Sequence, residues 1–206
     1  MHIYKTPGLV ISLLPGLTWK IASNQKIVYL TFDDGPIPGV TDWVLDILNQ
    51  YRAKATFFVV GENVKKYPTL FSRIVEKGHT VGNHTQNHLN AWRNKKKVFL
   101  NNIEQCDEIM DGYMRKPLFR PPHGKLTPSI IRKLKSKYDI IMWDVLSGDY
   151  NTSISDDECL KNTLKYSSDG SIVVFHDSYK AEKKLKSVLP KYIKELDSQG
   201  FSFKSL

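Results

Sequence analysis

The sequence predicts an α/β domain assembled from parallel β/α units, and three observations predict it. Short apolar runs rich in β-branched and aromatic residues alternate with amphipathic stretches of helical length. The runs at 27–30 (Ile-Val-Tyr-Leu) and 172–175 (Ile-Val-Val-Phe) are continuously apolar, as strands covered by helices on both faces require. With 206 residues the chain is long enough for one domain with a substantial core. Such units can close a barrel or remain an open sheet. In both, ligands gather at the loops after the carboxyl ends of the strands.

Before the first unit, residues 1–25 read as a lead-in segment that packs on the domain formed by residues 26–206. Its apolar stretch at 8–17 is interrupted by Pro15 and falls short of the roughly 20 apolar residues of a membrane span. No well-formed small-residue cleavage site follows, so a cytoplasmic location is expected, with peripheral membrane or cell-envelope association as the alternative. Seven strands are expected, at 26–32, 55–60, 79–82, 117–120, 139–145, 171–175 and 201–204. Between them six helices are expected at 41–51, 68–77, 96–113, 127–137, 156–166 and 185–199. Thr41, Thr127 and Ser155 suit N-caps, and Gly78, Gly112 and Gly200 follow helix ends.

Hydrophobic residues make up 41% and charged residues 25%, which excludes disordered and fibrous classes. The net charge of +9 is spread over clusters at 93–97, 132–137 and 180–186 with no nucleic-acid-binding motif beside them. A solvated basic surface is therefore expected, one that suits an anionic glycan, and nucleic acid is not an expected partner. Cys106 and Cys159 are too few for a disulfide framework and lack zinc-ligand spacing.

The polar residues after the strands carry the chemistry. The first strand runs into 31–36, Thr-Phe-Asp-Asp-Gly-Pro, where Asp33 and Asp34 are adjacent. Neighbouring carboxylates repel, so the pair is either a solvated acidic turn or the partner of a cation or an arginine. The third strand leads into 84–88, His-Thr-Gln-Asn-His. His84 and His88, four residues apart, are expected on one side of a helical turn, where they could share an ion; core or capping roles are the alternative. Both pairs follow strands that open onto the same face. Two His and one Asp leave positions open for water and substrate, the composition of a catalytic metal site. The carboxylate left over, Asp33, can then act as general base on an ion-activated water. After the fourth strand, 119–124 (Phe-Arg-Pro-Pro-His-Gly) forms a stiff turn, and a buried Arg120 beside Asp33 would keep that carboxylate ionised and oriented. A late strand ends in Phe175-His176-Asp177 and delivers an imidazole suited to proton donation, the alternative being a core histidine.

Thr-Phe-Asp-Asp-Gly, His-Thr-x-x-His, Arg-Pro-Pro-x-Gly and a late strand ending in His, in this order, resemble the polysaccharide deacetylases of carbohydrate esterase family 4, the NodB homology domain, from about residue 26 onward. The resemblance implies a distorted (β/α)7 barrel that removes N-acetyl groups, or in some members O-acetyl groups, from N-acetylglucosamine-containing glycans. It places the base at Asp33, the ligands of one divalent ion at Asp34, His84 and His88, the orienting arginine at Arg120 and the general acid at His176. Zinc is expected, with cobalt or nickel as alternatives. Val174 falls at an apolar position of the acetate pocket, and Asp149-Tyr150 falls where the family has Asp-Trp. His123 stands where the family has Tyr and is expected to serve through its backbone N–H. The family's Asp that supports the acid His falls at Leu146, so His176 is expected to be held less firmly. Asp149 or Asp144 could substitute only if its loop comes close, whereas Asp177 should face the opposite way. A glycan-binding module that kept the scaffold without turnover, or a metal-dependent amidase for small N-acyl substrates, are the other readings. A monomer without a membrane span is expected.

Overall fold

The computed structural model describes residues 3–114 and 116–206; the first two residues of the expected lead-in lie outside them. In chain order the elements are α1 (Gly8–Leu13), β1 (Ile27–Asp33), α2 (Thr41–Gln50), β2 (Ala55–Val59), α3 (Gly61–Lys66), α4 (Pro68–Glu76), β3 (Thr80–Asn83) and α5 (Lys96–Ile109). There follow β4 (Leu118–Phe119), α6 (Pro128–Leu134), β5 (Asp139–Ile140), β6 (Val145–Leu146), α7 (Asp156–Tyr166), β7 (Ile172–His176), α8 (Glu182–Ser198) and β8 (Ser202–Phe203).

Seven parallel strands curl in the order β5-β4-β3-β2-β1-β7-β6, and β8 extends the edge of β1 below β2. The result is a distorted barrel in a single domain, as the resemblance implies. Its seam lies between β5 and β6, which share no ladder among the described residues. The N-terminal segment fills that seam: Thr18 bridges to Ile141 and Lys5 to Val145, while Leu17 and Trp19 are buried. α1 has no buried residue and leaves Leu9 and Leu13 exposed.

Alternation along β1 explains both the core and the site. Val28, Leu30 and Phe32 are fully buried in the cluster that includes Val44, Leu45 and Leu48 of α2 and Val188, Leu189 and Tyr192 of α8. Each such side chain contributes roughly 1.5–3 kcal/mol by leaving water. The intervening Thr31 and Asp33 point the other way, where both meet Arg120 inside the barrel. The register then sets Asp33 opposite His176 at the ends of β1 and β7.

Four expectations need correction. The strand expected at 139–145 breaks into β5 and β6 because the Ile141 and Met142 carbonyls turn to accept from the Arg120 guanidinium, at 3.3 and 2.8 Å. Two short helices, α1 and α3, were not expected; six residues are too few to show a helical period. Ser155 caps α7 through a bond from the Glu158 N–H, but Thr41 begins α2 itself and uses its hydroxyl on Asp177, and Thr127 makes no side-chain cap bond. The segment holding His84 and His88 is a loop and not a helical turn, with positive φ at Thr85 (68°) and His88 (53°). Two local side-chain bonds and one distant bond hold that path: Thr85 N–H donates to Asn83 Oδ1, Leu89 N–H to Thr85 Oγ1, and Gln86 N–H to the Asn102 carbonyl.

Candidate active site

At the carboxyl ends of the strands a cavity of about 670 Å³ opens, and every residue singled out from the sequence either lines it or supports a residue that does. Asp33, Asp34, His84, His88, His123, Tyr150, Val174 and His176 line it; Arg120 and Asp149 lie behind.

The loop after β1 sets Asp34 at φ 84°, a costly conformation for a residue with a side chain. Two groups hold it there. Asn63 on α3 donates to the Asp34 carbonyl at 2.8 Å, and the next N–H, of Gly35, donates to the buried Asp177 carboxylate at 3.1 Å. Asp177 also accepts from Thr41 at 2.6 Å, and burial outweighs that bond to push its carboxyl up to about 8. Only glycine fits at position 35, since a Cβ would stand 2.0 Å from an Asp177 oxygen. Asp177 faces away from His176, as strand alternation requires. Asn63 and Asp177 were not assigned a place in the site from sequence. For Asp177, the signal was a carboxylate directly after an apolar buried strand.

Asp34 meets two imidazoles. Its Oδ1 lies 3.3 Å from His88 Nε2 and 3.8 Å from His84 Nε2, and the three ligand atoms fall within 4.8 Å of one another. His84 is buried, and its Nδ1 lies 2.7 Å from the Arg120 carbonyl. A carbonyl can only accept, so the proton sits on Nδ1 and the Nε2 lone pair faces Asp34. Desolvation, reinforced by the neighbouring His88, pushes the His84 pKa down to about 3 and keeps the ring neutral. Asp34 Oδ1 is buried with no hydrogen-bond partner. A buried carboxylate oxygen without a donor is costly, and the His84 lone pair beside it offers none. A cation bound by all three atoms removes that cost, so the donor set fits a divalent ion.

Asp33 belongs to a second, buried group. Arg120 donates through Nη1 to Asp33 Oδ1 at 2.7 Å and to Thr31 Oγ1 at 2.6 Å, and its guanidinium stacks on Phe58 with 4.1 Å to the ring centroid. With Ile141 and Met142 as further acceptors, the arginine is locked. Burial lowers its pKa and Asp33 opposes that shift, but a guanidinium stays charged in either case.

The third group overturns the expectation for His176. Asp149, not residue 146, supplies the carboxylate: its Oδ1 accepts from His176 Nδ1 at 2.8 Å and its Oδ2 from the His176 backbone N–H at 2.7 Å. Gly148, at φ 77°, turns the chain after β6 so that Asp149 comes back to β7. Asp149 is therefore a buried partner of His176, not a substrate-facing residue. Burial lowers the His176 pKa, but the charge and hydrogen bond of Asp149, aided by Asp34 and Asp33, outweigh it and raise the value to about 9. Asp144, the other substitute considered, is engaged by Lys5 at 2.7 Å and Ser171 at 2.6 Å. Leu146 pairs in register with Val174 and lines the cavity with Trp143. Tyr150 packs edge-on against His176 at 4.8 Å, and His123, itself at φ 60°, packs against His88 at 4.7 Å.

Residues 20–140 match the polysaccharide deacetylase family. A peptidoglycan-N-acetylglucosamine deacetylase of Bacillus cereus is 34% identical over 91% of this chain and 89% of its own length. A chitooligosaccharide deacetylase of Azorhizobium caulinodans is 31% identical over 79% of each chain. Among solved structures, a peptidoglycan N-acetylglucosamine deacetylase in complex with a benzamide compound superposes with a TM-score of 0.88 at 30% identity, covering 98% of this chain and 95% of that one. Sequence motifs, strand register and whole-chain similarity thus converge, and the chain belongs to the polysaccharide deacetylase family.

Proposed function

We propose that the protein hydrolyses the N-acetyl group of N-acetylglucosamine units in a glycan, with a divalent ion held by Asp34, His84 and His88. The observation that carries this reading is the donorless Asp34 oxygen facing two histidine Nε2 atoms, in one cavity with an Arg-locked carboxylate and a carboxylate-backed imidazole. When bound, the ion supplies Lewis-acid polarisation of the acetyl carbonyl and a water of lowered pKa. Zinc suits two imidazoles and one carboxylate, with cobalt or nickel as alternatives.

The chain's own groups do the rest. Asp33, immobilised by Arg120, accepts a proton from water as the new C–O bond forms. The His123 N–H, on its left-handed turn, donates to the developing oxyanion. His176, held as imidazolium by Asp149, gives its proton to the sugar nitrogen as the C–N bond breaks, leaving acetate and a free amine. Val174, Leu146 and Tyr150 form an apolar wall suited to the acetyl methyl. The Asp149–His176 pair favours turnover over a glycan-binding module without activity, because it fills the position whose apparent loss motivated that alternative. A wall polymer as substrate, like that named for the Bacillus cereus relative, argues for action at the cell envelope and not in the cytoplasm. Acetate release by purified, ion-replete protein from chito-oligosaccharides, peptidoglycan and acetylated xylan tests the reading. Release from the N-acetylglucosamine-containing substrates is expected; no release from any of them overturns it.

A further inference from the structure

The exposed apolar side chains of this protein are gathered, not scattered. Among the described residues eight large hydrophobics are exposed, and four of them, Ile3, Leu9, Val10 and Leu13, fall within the N-terminal segment that fills the seam. Leu9 is 71% and Leu13 69% exposed. The run from Thr6 to Trp19 carries no charge, and a lysine stands at each end, Lys5 and Lys20. Single exposed apolar residues are ordinary on a protein surface, whereas a cluster of them marks a contact.

The segment is tied at both feet. Thr6 donates its N–H to the Asp144 carbonyl at 3.0 Å and its hydroxyl to the Trp143 carbonyl at 2.7 Å. Thr18 donates its N–H to the Ile140 carbonyl at 2.9 Å and accepts from the Met142 N–H at 2.7 Å. Between these feet, Ile11 and Leu14 pack on the core cluster that holds Ile130, Ile131 and Leu134 of α6. Leu9 and Leu13, four residues apart on one side of α1, are left in solvent. Basic residues edge this face. Lys135, just past α6, donates to the Pro15 carbonyl at 2.9 Å, so the end of α6 lies against the segment. Arg132 and Lys133, near the end of α6, are exposed. Among the described residues none of these three cations pairs with a carboxylate, whereas Lys5, Lys137 and Lys186 each do.

An uncharged apolar tip edged by unpaired cations is complementary to the interface of a bilayer that contains anionic lipid. No helix among the described residues is long and apolar enough to cross a membrane, and α1, about 9 Å long, reaches only the depth of the headgroup and acyl boundary. A second copy of the chain fits less well. So short a helix falls far below the roughly 800 Å² per partner of a stable dimer, and a symmetric contact would bring the α6 cations of both copies together. We propose that α1 docks the protein on an anionic membrane surface, with Leu9, Val10 and Leu13 inserted at the acyl boundary and Arg132 and Lys133 over the lipid phosphates. A segment already ordered by its two feet loses little entropy on insertion. The contact is separate from the deacetylase reading, since none of these residues lines the cavity.

Sedimentation of the full chain with extruded vesicles tests this. Vesicles of phosphatidylcholine with about 30% phosphatidylglycerol are expected to bind it at least about tenfold more strongly than phosphatidylcholine alone at low salt, and the difference should shrink as salt rises. Leu9→Ser/Leu13→Ser should weaken binding to the anionic vesicles by about tenfold or more. Arg132→Gln/Lys133→Gln, which leaves Lys135 on Pro15, should bring that binding down toward the level of the neutral vesicles. Both variants alter exposed side chains away from the cavity, so each should keep kcat/KM on a soluble chito-oligosaccharide within about twofold of the parent. An absence of binding to the anionic vesicles overturns the proposal. So does binding that Leu9→Ser/Leu13→Ser leaves intact, which is charge attraction without insertion. A lipid-free dimer in sedimentation velocity that the leucine variant converts to monomer assigns the face to a second copy and equally overturns it. Vesicle binding by a protein that releases no acetate upholds the docking face and refutes the deacetylase, whereas acetate release without vesicle binding does the reverse.

Discussion

Asp34 and Asp149 are two carboxylates of one cavity that the fold treats in opposite ways. Asp149 is saturated: its oxygens accept from the His176 ring, the His176 backbone N–H and the Tyr150 N–H, all within 3.0 Å. Asp34 is held on a strained backbone with its inner oxygen buried and without a donor. A saturated carboxylate has one remaining effect, to fix the orientation and charge of the imidazole it faces. An unsaturated one, set beside two imidazole nitrogens, has capacity left for a cation. The difference teaches which half of the site is complete within the chain and which half waits for a partner from solution.

The largest expected effect comes from breaking the unsaturated half. Asp34→Ala should abolish stoichiometric binding of a divalent ion and lower kcat/KM by about 10³-fold or more, read by metal analysis and acetate release. Asp149→Asn breaks the saturated half and should act differently, lowering kcat by about 10²-fold while leaving ion stoichiometry intact. It should also move the pH profile. His176 has its pKa raised, so its proton-donating form persists as pH rises until about 9, or somewhat lower once a bound cation offsets Asp34. Removing the Asp149 charge should bring the alkaline limb down toward the ordinary histidine range. A D149N profile that coincides with the parent's would remove Asp149 from this role.

How far the site was legible in the sequence differs between the same two carboxylates. Asp33, Asp34, His84, His88, Arg120 and His176 were readable because each follows the carboxyl end of a parallel strand, and that topology alone sends them to one mouth. Asp149 was legible only as a conditional partner of His176 because its role depends on a turn: Gly148 at positive φ brings a residue three positions past Leu146 back to β7. Spacing shows where a strand ends but not where the following loop returns. The His84–His88 loop failed for a related reason. Spacing of four suggests a helical turn, but the Thr85 N–H donates locally to Asn83 Oδ1 and the Gln86 N–H donates to the carbonyl of Asn102, distant along the chain, on a path with Thr85 and His88 at positive φ. The break in the strand expected at 139–145 was equally hidden, since it exists to feed carbonyls to Arg120.

Two smaller effects sharpen the comparison. Gly35→Ala puts a methyl into the Asp177 carboxylate and should shift the Asp34 loop, costing about 1–3 kcal/mol of stability and weakening ion binding. Thermal denaturation with and without the ion, beside the D149N protein, should show the ion-dependent part of the loss only in the Gly35 variant. The smallest effect lies outside the mouth, at a buried imidazole without a carboxylate. His79 accepts from the Ala55 N–H at 3.2 Å, and desolvation, with Lys54 and Lys77 adding, lowers its pKa to about 4. Because the unfolded chain takes up this proton first, stability from His79 is present above the ordinary histidine pKa and is lost as pH falls toward 4. His79→Gln keeps an acceptor without titrating, so its denaturant midpoint should lose that part of the pH dependence.

The central claim, that a divalent ion at the unsaturated carboxylate drives deacetylation, is tested most directly by chelation and restoration. Acetate release from a chito-oligosaccharide is followed in one preparation as purified, after chelation and dialysis, and after return of zinc, with Asp34→Ala in parallel. The expected result is activity that vanishes with the ion, returns with one equivalent of zinc per chain, and never appears in the Asp34 variant. Undiminished acetate release from protein shown by metal analysis to be ion-free would contradict the account.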